Sequence, residues 1–147
     1  MARVQGAKIG GNLICTIDVS RKEKSEKPST RANAVLILDC SGSMGNWVQR
    51  SVSAWKQTLK AQHYGEEDEV HIIEFESETK MSRHKVKDLD ALDMRSRGGT
   101  YMTGVVFELE TVLNKYKGET VSIWVVSDGQ IFDQTLFKDS MMRTLGR

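Results

Sequence analysis

Ala34-Val35-Leu36-Ile37-Leu38-Asp39-Cys40-Ser41-Gly42-Ser43 is a run of five apolar residues that ends in an acid and two hydroxyls. The apolar part does not alternate, so a strand built from it is buried on both faces, the mark of a central parallel strand. Asp39, Ser41 and Ser43 follow two apart, in a turn punctuated by glycine at the carboxyl end of that strand. Open α/β sheets bind ligands at that edge. A carboxylate and two hydroxyls are hard oxygen donors and suit a divalent ion such as Mg2+. The stretch predicts a metal-dependent binding site on an α/β sheet.

Working outward, Val48, Val52, Trp55 and Leu59 recur at helical spacing over residues 46–62, with Arg50, Lys56 and Lys60 off the stripe. Trp47 and Trp55 read as packing residues rather than a binding platform. Gly65, after His63-Tyr64, is expected to be the left-handed stop of this helix. Val70 to Phe75 is a second apolar strand, which makes a βαβ unit with a right-handed crossover. Glu66 to Glu69 reads as a solvated acidic loop. The polar stretch Glu76 to Lys87 suits a short edge strand, because charges there discourage aggregation. Asp88 to Asp93 suggests a single helical turn. It lacks the central glycine and closing glutamate of an EF-hand calcium loop.

Arg97-Gly98-Gly99-Thr100 leads into a helix with Val105, Leu109, Val112 and Tyr116 on one stripe. Taken alone, Thr100 reads as a helix cap in competition with Thr103. Val121 to Val126 is a third central strand and runs into Ser127-Asp128-Gly129. The carboxyl ends of parallel strands line up. Asp39, Ser41, Ser43, Thr100 and Asp128 are therefore expected to converge, although they span 90 positions. Asp133 is expected to cap a last helix that turns Leu136, Phe137, Met141 and Leu145 to the core. Upstream, Val4–Ile9 and Leu13–Val19 flank Gly10-Gly11-Asn12 and read as a hairpin, followed by a charged loop from Ser20 to Arg31.

With 147 residues the chain is long enough for one domain with a real core. Its 21 Lys and Arg against 20 Asp and Glu leave a net charge of +1, which argues against a nucleic-acid or membrane-surface partner. Cys15 and Cys40 have neither zinc spacing nor a disulfide framework, and no run is apolar enough to span a bilayer. A cytoplasmic location is the expectation. Enzyme readings fit poorly. Ser41-Gly42-Ser43-Met44-Gly45 nearly matches a nucleophile elbow but lacks its first glycine, and no histidine follows His84. An aspartyl phosphatase would need an acid where Ser41 stands. A phosphate-binding P-loop is absent, and His63, His71 and His84 have no ligand or triad spacing. No catalysis is expected. The alternatives are a metal-assisted hydrolase, or a scaffold or oligomerisation domain that holds no metal.

The combination of Asp39-x-Ser41-x-Ser43, Thr100 in Gly-Gly-Thr and Asp128 in Ser-Asp-Gly resembles the metal-ion-dependent adhesion site of von Willebrand factor type A domains. The resemblance covers roughly residues 32 to 145. It implies a Rossmann-like, doubly wound, mostly parallel sheet flanked by helices. Residues 1–31 would add the hairpin and charged loop, and residues 32–147 the type A-like part of a single globular unit. Fewer carboxyl-terminal strands than usual follow Asp128. The implied ion is Mg2+, or Mn2+ or Ca2+, with a coordination position open to a partner protein's exposed Asp or Glu. Asp39, read as a loop residue, is expected to be dispensable for the fold. The strand ending at Asp128 is expected to be an open edge, covered by the hairpin, by a second copy as a homo-oligomer, or by a partner.

Overall fold

The computed structural model describes residues 2–9, 12–20, 32–128 and 134–145. Its central strand, β3 (Asn33–Asp39), pairs in parallel with the later strands β4 (Glu69–Phe75) and β6 (Thr120–Ser127). Ala34, Leu36 and Leu38 point to one face of the sheet and pack with Val48, Val52, Trp55 and Leu59 of α1 (Trp47–Ala61). Val35 and Ile37 point to the other face and pack with Val105, Leu109 and Val112 of α2 (Thr103–Lys115). Both faces are covered, and so the strand needs no polar alternation. Met141 of α3 (Gln134–Leu145) joins the α2 side. This is an α/β fold with helices on both faces of the sheet.

With β1 at Ala2–Ile9, β2 at Asn12–Ser20 and β5 at Thr79–Lys85, the strand order is β1-β2-β6-β3-β4-β5. The chain leaves β3 through α1 to reach β4 on one side, then returns through α2 to β6 on the other. The direction of winding therefore reverses between β3 and β6, and the carboxyl ends at such a reversal are where open α/β sheets bind ligands. Leu38 lies opposite Val126, so Asp39 and the Ser127-Asp128 pair emerge side by side. Beyond β4, β5 (Thr79–Lys85) runs antiparallel as an edge strand, and a 3-10 helix at Val86–Ala91 buries Val86 and Leu89.

The β6 edge is not open. The hairpin strand β2 (Asn12–Ser20) pairs antiparallel along it, from Leu13 opposite Ser127 to Ser20 opposite Thr120, and β1 (Ala2–Ile9) pairs with β2 in turn. The main-chain groups that would have recruited a second copy through β6 are taken by β2. The hairpin turn at 10–11, the charged loop at 21–31, Asp133 and the side chains of Leu136, Phe137 and Leu145 lie outside the described residues.

Two local expectations change. After α1 the left-handed residue is His63 (φ 67°), not Gly65. The helix end closes with Tyr64 N–H donating to Leu59 O at 3.0 Å, and Gly65 N–H instead donates to Asp68 Oδ2 at 2.6 Å. Trp47 is 39% exposed with Arg50 over its ring, whereas Trp55 is 3% exposed and packs edge-to-face on Trp124 at 5.9 Å. Packing therefore accounts for Trp55 only.

His71 of β4 is 4% exposed. Its Nε2 meets Tyr116 Oη at 2.9 Å, and its Nδ1 has no hydrogen-bond partner among the described residues. Burial first, then Lys115 and Arg83, holds the imidazole below its usual pKa. The unfolded chain then takes up the proton before the folded one does. Stability is full above about pH 6.5 and falls as pH drops below it. His84 is shifted the same way, again mainly by burial. The urea midpoint should be level from about pH 7 to 8 and decline toward pH 5, with a shallower decline in His71→Phe. A wild-type midpoint that is flat down to pH 5 would contradict this.

Candidate metal centre

Asp39 is the last residue of β3 and is 0% exposed. Its Oδ1 accepts the Ser41 N–H at 2.9 Å, which folds the chain back into an Asx-type turn. Its Oδ2 accepts the Ser127 hydroxyl at 2.7 Å. The reading of Asp39 as a dispensable loop residue is thus corrected, because its carboxylate closes the β3 turn and ties it to β6. Cys40 and Met44, both buried on the α1 side, anchor the turn from below. Ser43 is exposed at the top of the turn, and Ser41 beside it is 2% exposed.

Ser43 Oγ donates to Asp128 Oδ2 and lies 3.1 Å from Ser41 Oγ. A hydroxyl has one proton. With the Ser43 proton on Asp128, Ser41 is the donor in the serine pair. Asp39, Ser41, Ser43, Ser127 and Asp128 thus form one connected group across the ends of β3 and β6. Ser127 is the member that sequence reasoning passed over. The available signal was a hydroxyl at the end of an apolar strand, one residue before an expected ligand.

Thr100 is not part of this hydrogen-bonded group, but its loop is fastened to it. Arg97 N–H donates to Cys40 O at 2.7 Å and Gly42 N–H to Gly98 O at 3.2 Å. Thr100 itself is 4% exposed. The β4–β5 turn braces the loop from behind, through Gly99 N–H to Ser77 Oγ at 2.9 Å, Tyr101 N–H to Glu76 O at 2.9 Å and Arg97 Nε to Glu76 Oε1 at 3.0 Å. Gly98 has φ 67°, and a Cβ there would lie 2.6 Å from Ser77 Oγ. Gly98→Ala should therefore cost about 1–2 kcal/mol by urea denaturation from the backbone term alone. It should also displace Thr100. Wild-type stability in this variant would show that the loop is not held as described.

The donors fit a hard cation. All are oxygens from carboxylates and hydroxyls. Among the described residues no three His, Cys, Asp or Glu side chains gather at this site or at any other, so the only acids here are Asp39 and Asp128. Cys40 offers no thiolate, because burial and then the charges of Glu74, Asp39 and Glu76 push its thiol far above the usual range. Asp128 takes the Ser43 proton and Ser43 takes the Ser41 proton, so each hydroxyl keeps a lone pair that a cation needs from a neutral ligand.

No family model and no curated protein matches the chain. Among solved structures it is similar to the pilus adhesin SpaC from Lactobacillus rhamnosus GG in its open conformation, at 21% identity and a TM-score of 0.45 over 78% of this chain. A second SpaC crystal form gives 20% identity and a TM-score of 0.45 over 80%. The chain spans only 16% and 18% of the length of those two chains. A likeness of this size says nothing about what this chain binds. Among the described residues no helix is long and apolar enough to cross a membrane.

Proposed function

We propose that this chain is a von Willebrand factor type A-like domain whose Asp39, Ser41, Ser43, Thr100 and Asp128 hold Mg2+, or Mn2+ or Ca2+, and that it binds a carboxylate of a partner protein there. The observation that carries the reading is Ser43, whose hydroxyl joins Ser41 on one strand end to Asp128 on another. A bound divalent ion would supply an electrophilic position that a partner Asp or Glu can fill. The chain's own residues prepare that position. Asp39 sets the turn, Ser127 orients Asp39, and Asp128 holds the Ser43 proton away from the hydroxyl lone pairs. Gly98, left-handed and without a Cβ, lets the Thr100 loop lie against Ser77 and Glu76 of the β4–β5 turn.

The reading assigns no reaction. Among the described residues His71 bonds Tyr116 and His84 bonds Ser82 at 2.7 Å, and neither is hydrogen-bonded to Ser41 or Ser43. Calorimetric titration of metal-free protein with Mg2+ and Mn2+ should give saturable one-site binding, weakened about tenfold or more in Ser43→Ala. A folded wild-type protein that takes up neither ion would overturn the proposal and leave a scaffold.

A further inference from the structure

The β5 edge of the sheet has a cavity on each face. The strand order ends at β5, so one row of its N–H and C=O groups has no strand partner among the described residues. On the α1 side, Lys80, Ser82 and His84 line a groove of about 540 Å3 that also takes in Arg95, Arg97 and Glu74. On the α2 side, Met81 and Arg83 line a cavity of about 290 Å3 with His71, Thr111 and Lys115. Side chains of an extended segment alternate between faces. A strand laid against β5 would find a recess for each of its alternating side chains.

The charge of the strand and its recesses says what that segment carries. β5 holds Lys80, Arg83 and Lys85 and no acid, with Lys85 Nζ paired to Glu67 Oε2 at 2.7 Å. The first groove has three cations, Lys80, Arg95 and Arg97, but Arg95 pairs with Asp93 at 2.8 Å and Arg97 with Glu76 at 3.0 Å, which leaves Lys80 facing Glu74. The second has Arg83 and Lys115 and no acid in its lining, although Arg83 Nε lies 3.6 Å from Glu69 Oε2. Lys80 has no ion pair among the described residues. Met81 and Val112 in one recess, and Leu92 and Met94 in the other, give each an apolar part. Cations on an edge strand repel another copy of the same edge and so guard against aggregation. Lys80 and Lys115, which have no ion pair among the described residues, and Arg83, 3.6 Å from Glu69, are the cations left to attract an acidic strand.

We infer that β5 is a docking edge for an extended segment of a partner protein rich in Asp and Glu interspersed with apolar residues, added as a further strand of the sheet. Main-chain hydrogen bonds to β5 supply affinity, and the two recesses supply selectivity for acid and apolar side chains on both faces. This goes beyond the metal reading and does not depend on it.

The test uses the full chain in EDTA, so that the metal centre plays no part. The probe is an acetylated, amidated peptide of Glu-Glu-Val-Val repeated twice, which puts both residue kinds on each face of a strand. Its control is the Lys-Lys-Val-Val counterpart. Binding of the acidic peptide alone, weakening with salt, is expected. Alternate amides of residues 79–85 should gain about tenfold or more protection from hydrogen exchange, as new main-chain bonds require. Lys80→Glu with Arg83→Glu, both exposed positions, should raise Kd about tenfold or more. Should that double variant fail to fold, the exchange and salt measurements on the wild type still decide. Equal binding of both peptides, no binding, or protection confined to β1 would overturn the inference. Any of these would leave the Mg2+ titration, and the reading tested by it, untouched.

Discussion

Asp39→Asn is expected to raise the Kd for Mg2+ and Mn2+ about a hundredfold or more, a loss of about 2.7 kcal/mol of binding, in a protein that still folds. The contrast with Asp39→Ala makes the prediction specific. The Asp39 carboxylate is fully buried and accepts two hydrogen bonds, from the Ser41 N–H and the Ser127 hydroxyl. Asparagine keeps an oxygen for the Ser41 N–H, and its amide can face Ser127, whose hydroxyl rotates to accept. What is lost is the formal charge beside the cation. Alanine removes both acceptors and strands two buried donors, at about 1–3 kcal/mol each. Against a total stability of about 5–15 kcal/mol that loss is large. Calorimetry should thus show both variants failing to bind, while urea denaturation should show only Asp39→Ala substantially destabilised. Retention of Mg2+ binding by a folded Asp39→Asn protein would remove Asp39 from the metal site.

Trp124→Ala is expected to cost about 3–5 kcal/mol in urea denaturation, the range for large aromatic truncations in a core. Trp124 sits mid-way along β6, opposite Leu36 of β3 on one side and Thr16 of β2 on the other. Its ring is buried against Trp55 of α1 in an edge-to-face contact, with an interplanar angle of 65°. The residue therefore joins the central sheet to α1. A double-mutant cycle with Trp55→Ala should return a coupling of about 0.5–1.5 kcal/mol, beyond the loss of buried area. A loss under about 1 kcal/mol for Trp124→Ala would show that this side of the core is not packed as described.

Much of the fold was readable because the signals were local. Ala34 to Leu38 lacked alternation because helices cover both faces of β3. The stripe Val48, Val52, Trp55 and Leu59 is buried as its spacing required. Val105, Leu109 and Val112 are buried likewise, with Tyr116 partly buried beside them. Even the charged edge strand at β5 followed from composition. The end of α1 did not, because several residues beside a helix terminus can take a positive φ. His63 does so here, while Gly65 meets Asp68 instead.

By itself the sequence determined which strands are central, which helix stripes face them, and that Asp39 and Asp128 stand at strand ends. These follow from hydrophobic period and from the common direction of parallel strands. Only the tertiary structure decided that β2 closes the β6 edge, since strand pairing depends on main-chain groups that carry no residue signature. Only the tertiary structure made Asp39 a buried tie between β3 and β6, because Ser127 is 88 residues away along the chain and adjacent in space. The recesses beside β5 were invisible for the same reason. Each is bounded by segments far apart in sequence, and a cavity exists only once they have packed.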